Sequence, residues 1–314
     1  ILAGVAIIGQ ATTRIELEYL FSPYLDTTRI RMILERLVDG RFLTYNRQNR
    51  TYSLHPIDRE YALASMINGS ANDSETDFTR YRLNYRMAEY YVARRRPQPQ
   101  WKTIADLEPE LREFEYRYAN GDYDSAAQIC ILVSSAYLLR SGYTPMAIEL
   151  MKRLDGRIIN PELAMKNTGN LGTAFRLMGA TDLALHHYEK AVEKSQEIGS
   201  KQFEARWMIG IGNIYSGTEN IQKAIEFYEQ ALTTSREGNN KYEESMCVGN
   251  LGVAYSRLGQ THKTIFYYEK ALVLSQELQD RRSECVWLGN LGWGYRDLGD
   301  MQTALGYFNE ALSI

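Results

Sequence analysis

Residues 250–271 read NLGVAYSRLGQTHKTIFYYEKA, and the same skeleton returns forty residues away. The pairs Leu171-Gly172, Ile211-Gly212, Leu251-Gly252 and Leu291-Gly292 keep a constant spacing of 40. Four residues after each Leu or Ile stands an aromatic: Phe175, Tyr215, Tyr255, Tyr295. Thirteen after it stands a small residue: Ala184, Ala224, Thr264, Ala304. Then come Tyr188, Tyr228, Tyr268, Phe308, and alanines at Ala191, Ala231, Ala271, Ala311. Copies in phase at this many positions mark a repeat array. Apolar spacings of three and four make each unit a pair of amphipathic helices. The pairs break near Gly179, Gly259 and Gly299, and again near Gly199, Gly238 and Asp280. Small residues let the paired helices approach, and the Tyr or Phe fills the space they leave. One pair cannot bury its apolar face alone, so neighbours stack into a solenoid. The 23 tyrosines are therefore read mainly as core and groove lining.

The pattern resembles the tetratricopeptide repeat (TPR), in the 40-residue form of kinesin light chain and its relatives, over residues 166–314. Just before it, NGDYDSAAQICILVSSAYLLRSGYTPMAIELMKRL (residues 120–154) carries Gly121, Ala126, Gly142 and Ala147, which read as divergent helix pairs. Asn160 before Pro161 is a helix start, with Asn as cap and Pro at the first helical position. The final repeat has a short second helix and no polar capping helix, and Ile1 opens without Met inside an apolar helix. The expectation is a piece of a longer protein.

Residues 1–67 read differently. Helices are expected at about 1–9, 14–21 and 27–39. Phe42–Tyr45 and Thr51–Leu54 flank a polar turn and form a hairpin, and IDREYALASM makes a further helix. Three helices and a β-wing suggest a winged helix, followed by the polar linker Asn68–Ser74. Residues 1–96 hold 14 arginines and no lysine against 11 carboxylates, a weak cationic excess. The recognition-helix position offers Arg29, Arg31 and Arg36 but also Glu35 and Asp39, which argues against nucleic acid as the partner. The fold class expected is all-α, an α-solenoid of TPR helix pairs with a small N-terminal winged-helix domain. Its parts are the winged helix (1–67), a linker and connecting helix (68–100), divergent TPR-like pairs (101–160) and the regular array (161–314).

LERLVDGRFLTYNRQNRTYSLHPIDREYAL (residues 34–63) resembles the winged-helix region of STAND-class signalling NTPases of the NB-ARC type. There a Met-His-Asp-like motif precedes a helix. Here Leu54-His55-Pro56 matches it, followed by Arg59-Glu60-Tyr61-Ala62. The resemblance implies that His55 senses nucleotide by contacting the β-phosphate of ADP. Pro56 replaces the family's Asp, so the latch attributed to that Asp is not carried over. A helix N-terminus favours anions independently of the resemblance. No GxxxxGK[ST] occurs, so the phosphate-cradling loop is missing. The resemblance implies an upstream nucleotide-binding domain in the same chain, ADP or ATP with Mg in the intact protein and none in this stretch, and oligomerisation on activation.

Ordinary composition supports a folded soluble protein (44% hydrophobic, 24% charged, net charge -3), and the sparse cysteines fit a reducing cytoplasm. Cys130, Cys247 and Cys285 are far apart, with no CxxC and no disulfide framework. The longest apolar run, Ile1–Ile8, is too short to span a bilayer, so no membrane partner is expected. No catalytic or metal constellation emerges. His186 and His187 are adjacent, without the i, i+4 spacing that converges on a metal, and are read as surface residues. This stretch is expected not to be an enzyme, with any NTPase or effector domain upstream.

Binding is the expected chemistry. The residue before each Leu-Gly pair is Asn170, Gly210, Asn250 and Asn290. In kinesin-light-chain-like TPRs asparagines here hold a captured peptide backbone, which the resemblance implies for Asn170, Asn250 and Asn290. An amide can both donate and accept. Asn213 lies along the same face where repeat two breaks the series. Arg176, Arg257, Trp293 and Arg296 complete the expected groove, with Lys166, Thr173, Met246 and Val253 at the same periodic face. The alternative is that the asparagines cap or bridge neighbouring helices. The Lys/Asn clamp of chaperone-tail-binding TPRs is missing at the matching positions. The functional expectation is a sensor region of a STAND NTPase. Its groove takes a protein or peptide trigger, and the winged helix couples capture to nucleotide state, in bacterial antiviral or stress signalling. The alternatives are a STAND-type transcriptional regulator and a TPR scaffold without nucleotide switching.

Overall fold

The computed structural model describes residues 1–9, 11–218 and 220–314, in two compact units, Ile1–Tyr137 and Leu138–Ile314. The first unit runs α1 (Leu2–Ile8), β1 (Thr12–Thr13), α2 (Arg14–Phe21), α3 (Thr27–Asp39), β2 (Thr44–Asn46), β3 (Thr51–Ser53), α4 (Pro56–Ala64), α5 (Arg80–Val92), α6 (Glu108–Ala119) and α7 (Tyr123–Val133). Local chemistry starts these helices. Thr13 and Glu16 form a reciprocal capping box at α2, and Asp26 caps α3 through the Arg29 amide at 2.9 Å. The strands make an antiparallel sheet in the order β1-β3-β2, with Tyr45 opposite Tyr52. The hairpin falls where the turn chemistry puts it, with shorter strands than the sequence suggests. The third strand, β1, was not foreseen, because two residues carry no period.

Leu17, Leu20 and Phe21 of α2 pack with Ile30 and Leu34 of α3 and with Leu83 and Met87 of α5. Buried Glu16 accepts from the Tyr91 hydroxyl at 2.5 Å, tying α2 to α5. Arg86 donates to the Tyr19 and Leu20 carbonyls at 2.6 and 3.2 Å and satisfies the C-terminal end of α2.

The second unit begins with α8 (Thr144–Leu154). It continues as α9 (Pro161–Leu177), α10 (Thr181–Glu197), α11 (Lys201–Gly217), α12 (Ile221–Glu237), α13 (Lys241–Arg257), α14 (Thr261–Glu277), α15 (Arg281–Leu298) and α16 (Met301–Ser313). From α9 onward a helix opens every twenty residues, so each 40-residue period is one pair. The result is the expected all-α stack of TPR-type helix pairs.

Close approach holds each pair together. A Cβ on Gly172 would lie 2.8 Å from the Tyr188 ring, and one on Gly252 2.6 Å from the Tyr268 ring. Gly212 stands in the same relation to Tyr228, and Gly292 to Phe308. The stacking between repeats uses the same device. Gly210 lies against Tyr188 of the preceding repeat, and Gly169 and Gly249 lie against Trp207 and Trp287 of the following ones. Two of the breaks between pairs differ from expectation. Asn239 (φ 51°) and Gln279 (φ 55°) take the left-handed conformation there, beside the Gly238 and Asp280 read from sequence.

Candidate partner-binding surface

The first helices of successive repeats touch, α9 with α11 and α11 with α13, while the second helices stand farther apart. The first helices therefore form the inner side of the stack. Leu171, Leu251 and Leu291 point into the core, so the residues just before and two after them turn to the inner face.

The structure brings the central residues together. Tyr228 of α12 donates its hydroxyl to Asn213 Oδ1 at 2.8 Å. Asn250 of α13 donates from Nδ2 to the same oxygen at 3.4 Å. One asparagine thus bridges two first helices and a second helix. Arg257 donates to Ser216 Oγ at 3.4 Å across the same pair of helices. Burial pushes the Tyr228 phenol up to about 12, with Arg176 and Arg257 near enough to pull it the other way. In the preceding repeat Tyr188 donates to Thr173 Oγ1 at 3.0 Å. Asn170 is half-buried and Arg176 exposed, and neither makes a side-chain hydrogen bond among the described residues.

Asn290, Trp293 and Arg296 form a separate cluster. Asn290 and Trp293 line a cavity of about 270 Å³ with Thr261, Tyr268 and Asp297. Trp293 is 52% exposed, with one edge against Phe308 and the Arg296 guanidinium 4.3 Å over its ring. Arg296 also donates to Asp297 at 2.6 Å, which holds its fork in place. An exposed indole stacked by an arginine is the surface chemistry that anchors protein partners.

Sequence reasoning missed one feature of this face. Arg206, at the periodic position of Lys166 and Met246, donates to the buried Glu243 through Nη2 and Nε at 2.5 and 3.1 Å. The pair joins α11 to α13. Its members are 37 residues apart, and no repeat position signals it.

Outside this face, His55 caps α4, its Nδ1 accepting from the Ile57 amide at 3.4 Å, and its side chain is exposed. Of the adjacent histidines, His186 is exposed. His187 is half-buried and stacks on Phe175 at 5.2 Å, and burial lowers its pKa. Cys130 and Cys247 are buried and Cys285 is partly so. Among the described residues no helix is long and apolar enough to cross a membrane.

The tetratricopeptide-repeat family model matches residues 162–237 and 244–314. This stretch is a TPR region. No curated protein sequence matches the chain significantly. Among solved structures, the STAND protein with a TPR sensor from Pyrococcus horikoshii aligns over 99% of this chain and 49% of its own, with TM-score 0.53 and 15% identity. The chain thus spans about half the length of that protein. Aspartyl phosphate phosphatase F from Bacillus subtilis aligns over 99% of this chain and 93% of its own, with TM-score 0.52 and 13% identity. Apo RapI aligns over 74% of this chain and 96% of its own, with TM-score 0.54 and 11% identity. At these identities the likeness is one of fold. TPR repeats generally bind protein partners.

Proposed function

We propose that the chain is the sensing and regulatory region of a STAND-class NTPase. The TPR inner face captures a protein or peptide trigger, and the first unit, read as a winged helix, couples capture to the ADP or ATP state of a nucleotide-binding domain elsewhere in the same protein. The observation that carries this reading is the element order: three helices, a hairpin and a helix, then helix pairs, aligned end to end with part of the P. horikoshii STAND protein. The capping geometry of His55 is compatible with it. Because Nδ1 accepts the Ile57 amide, a neutral ring carries its proton on Nε2, which can donate to a phosphate oxygen at the N-terminus of α4. His55 would hold the β-phosphate of ADP there, and Mg-nucleotide would supply the energy difference between resting and active states. The region itself performs no chemistry. Capture shifts a two-state equilibrium because the trigger prefers the open form, and oligomerisation follows activation. We place it in the cytoplasm, in bacterial antiviral or stress signalling.

The test is nucleotide extraction from the protein purified in its natural length. ADP should copurify with the wild type and be lost on His55→Ala. ADP retained by the variant removes the nucleotide-sensing role. A second reading, a TPR regulator or scaffold without nucleotide switching, is favoured by the alignment over 93% of the B. subtilis phosphatase. Trigger binding that is indifferent to ADP and ATP would select it. A DNA shift that weakens with salt would instead select the STAND-type transcriptional regulator.

A further inference from the structure

Within the first unit, a cavity of about 290 Å³ is bounded by the C-terminal end of α1 and by side chains of α4, α5 and α6. Arginines 59, 80 and 112 line it, against the single carboxylate of Glu115. Arg59 donates through Nε to the Ala6 carbonyl at 3.0 Å, which satisfies the end of α1 and leaves its terminal nitrogens beside the cavity. Gly9 (φ +75°) permits this approach, because a Cβ there would lie 2.6 Å from Arg59 Nη2. Arg80 makes no ion pair and no side-chain hydrogen bond among the described residues. Arg112 stands 3.6 Å from Glu108. Tyr116 lines the same cavity. It is 4% exposed, and its hydroxyl is buried with no hydrogen-bond partner. Burial raises its pKa, so the phenol stays protonated and remains a donor.

Two costs meet in this place. Guanidinium groups gathered around one partly enclosed space repel each other. A buried hydroxyl without an acceptor leaves its desolvation uncompensated. An anion with several acceptor oxygens relieves both, and arginine forks match the geometry of phosphate. The volume lies at the small end of ligand pockets, which excludes a folded segment or a long peptide.

We propose that this cavity binds a small phosphate-bearing ligand, clamped by Arg80 and Arg112 with the Tyr116 hydroxyl as neutral donor. The site is distinct from the TPR inner face, and His55 is not among the residues that line it. It gives the first unit an input of its own, independent of nucleotide sensing through His55.

The test is titration calorimetry of the 314-residue chain with inorganic pyrophosphate, and in parallel arms with ADP and with glucose 6-phosphate. The expected result is one binding site whose affinity falls at least about tenfold in Arg80→Gln, as loss of a charge-assisted contact requires. Tyr116→Phe should weaken binding several-fold at unchanged circular dichroism, and Lys241→Gln in the repeats should leave it unaltered. Equal affinity for pyrophosphate and the esters assigns recognition to the phosphate alone, while tighter binding of one ester extends the ligand beyond it. Both support the site. No binding in any arm, or wild-type affinity in both Arg80→Gln and Tyr116→Phe, overturns it. ADP binding that depends on His55 and not on Arg80, with no Arg80-dependent binding of pyrophosphate or glucose 6-phosphate, also overturns it, without touching the proposed nucleotide-sensing role.

Discussion

Asn213 Oδ1 accepts the Tyr228 hydroxyl at 2.8 Å, and through the same oxygen it reaches Asn250 of the next repeat. The repeat-two asparagine stands three residues after the position that Asn170, Asn250 and Asn290 occupy. The polar series along the inner face is therefore continued by a residue that also fixes the second helix of its own pair. Tyr268, one period later, faces no such acceptor, because Val253 occupies the position of Asn213. Tyr228→Phe should then cost about 1 kcal/mol, the net worth of one hydrogen bond. Tyr268→Phe should cost less, and the difference is measured as a shift in thermal midpoint.

The buried tyrosines make the repeats sensitive to alkali. Burial pushes Tyr228 and Tyr268 each up to about 12 from the ordinary 10. Both are acids whose folded-state pKa is raised, so their contribution is fully present below pH 10. It is lost as pH climbs towards 12, because the unfolded chain releases its protons first. For Tyr228 this is worth on the order of 2 kcal/mol across that window, and less for Tyr268, where solvent screens the phenol more. Thermal melts at pH 9 and pH 11.5 should show a larger drop for the wild type than for the Tyr228→Phe/Tyr268→Phe double variant. Equal drops would mean that these phenols are solvated.

The glycines of the first helices divide into two kinds. Gly252 lies so close to the Tyr268 ring that a methyl group must displace it, whereas nothing lies within 4 Å of a Cβ at Gly289. Gly252→Ala should destabilise by about 1–3 kcal/mol through overpacking. Gly289→Ala should stabilise by about 0.5–1 kcal/mol through helix propensity. Denaturant midpoints that move in the same direction for both would contradict the interlocked packing.

The repeat and its architecture were legible because the interlock of glycine with Tyr or Phe recurs in every copy and leaves a mark at a fixed period. Features that use the period only in part were not. Trp207 and Trp287 pack on Gly169 and Gly249, but alternate copies carry Asn167 and Cys247 in their place, so the sequence shows no full column. The Arg206–Glu243 pair occurs in one repeat alone, and β1 is too short to alternate. At the inner face, periodicity pointed to Asn250 and Asn213 separately. Their convergence on one oxygen depends on the stagger between α11 and α13, which no single helix encodes.

Recognition of a partner by the inner face is the central claim. A peptide selected from a random displayed library against the 314-residue chain provides the probe, and fluorescence anisotropy reads its affinity. Truncating an exposed, arginine-stacked indole should cost about thirtyfold in Trp293→Ala, and losing the amide about tenfold in Asn250→Ala. The exposed Gln230 on α12, away from the first helices, should tolerate alanine without effect. Wild-type affinity in both inner-face variants, with helicity unchanged, would contradict the claim.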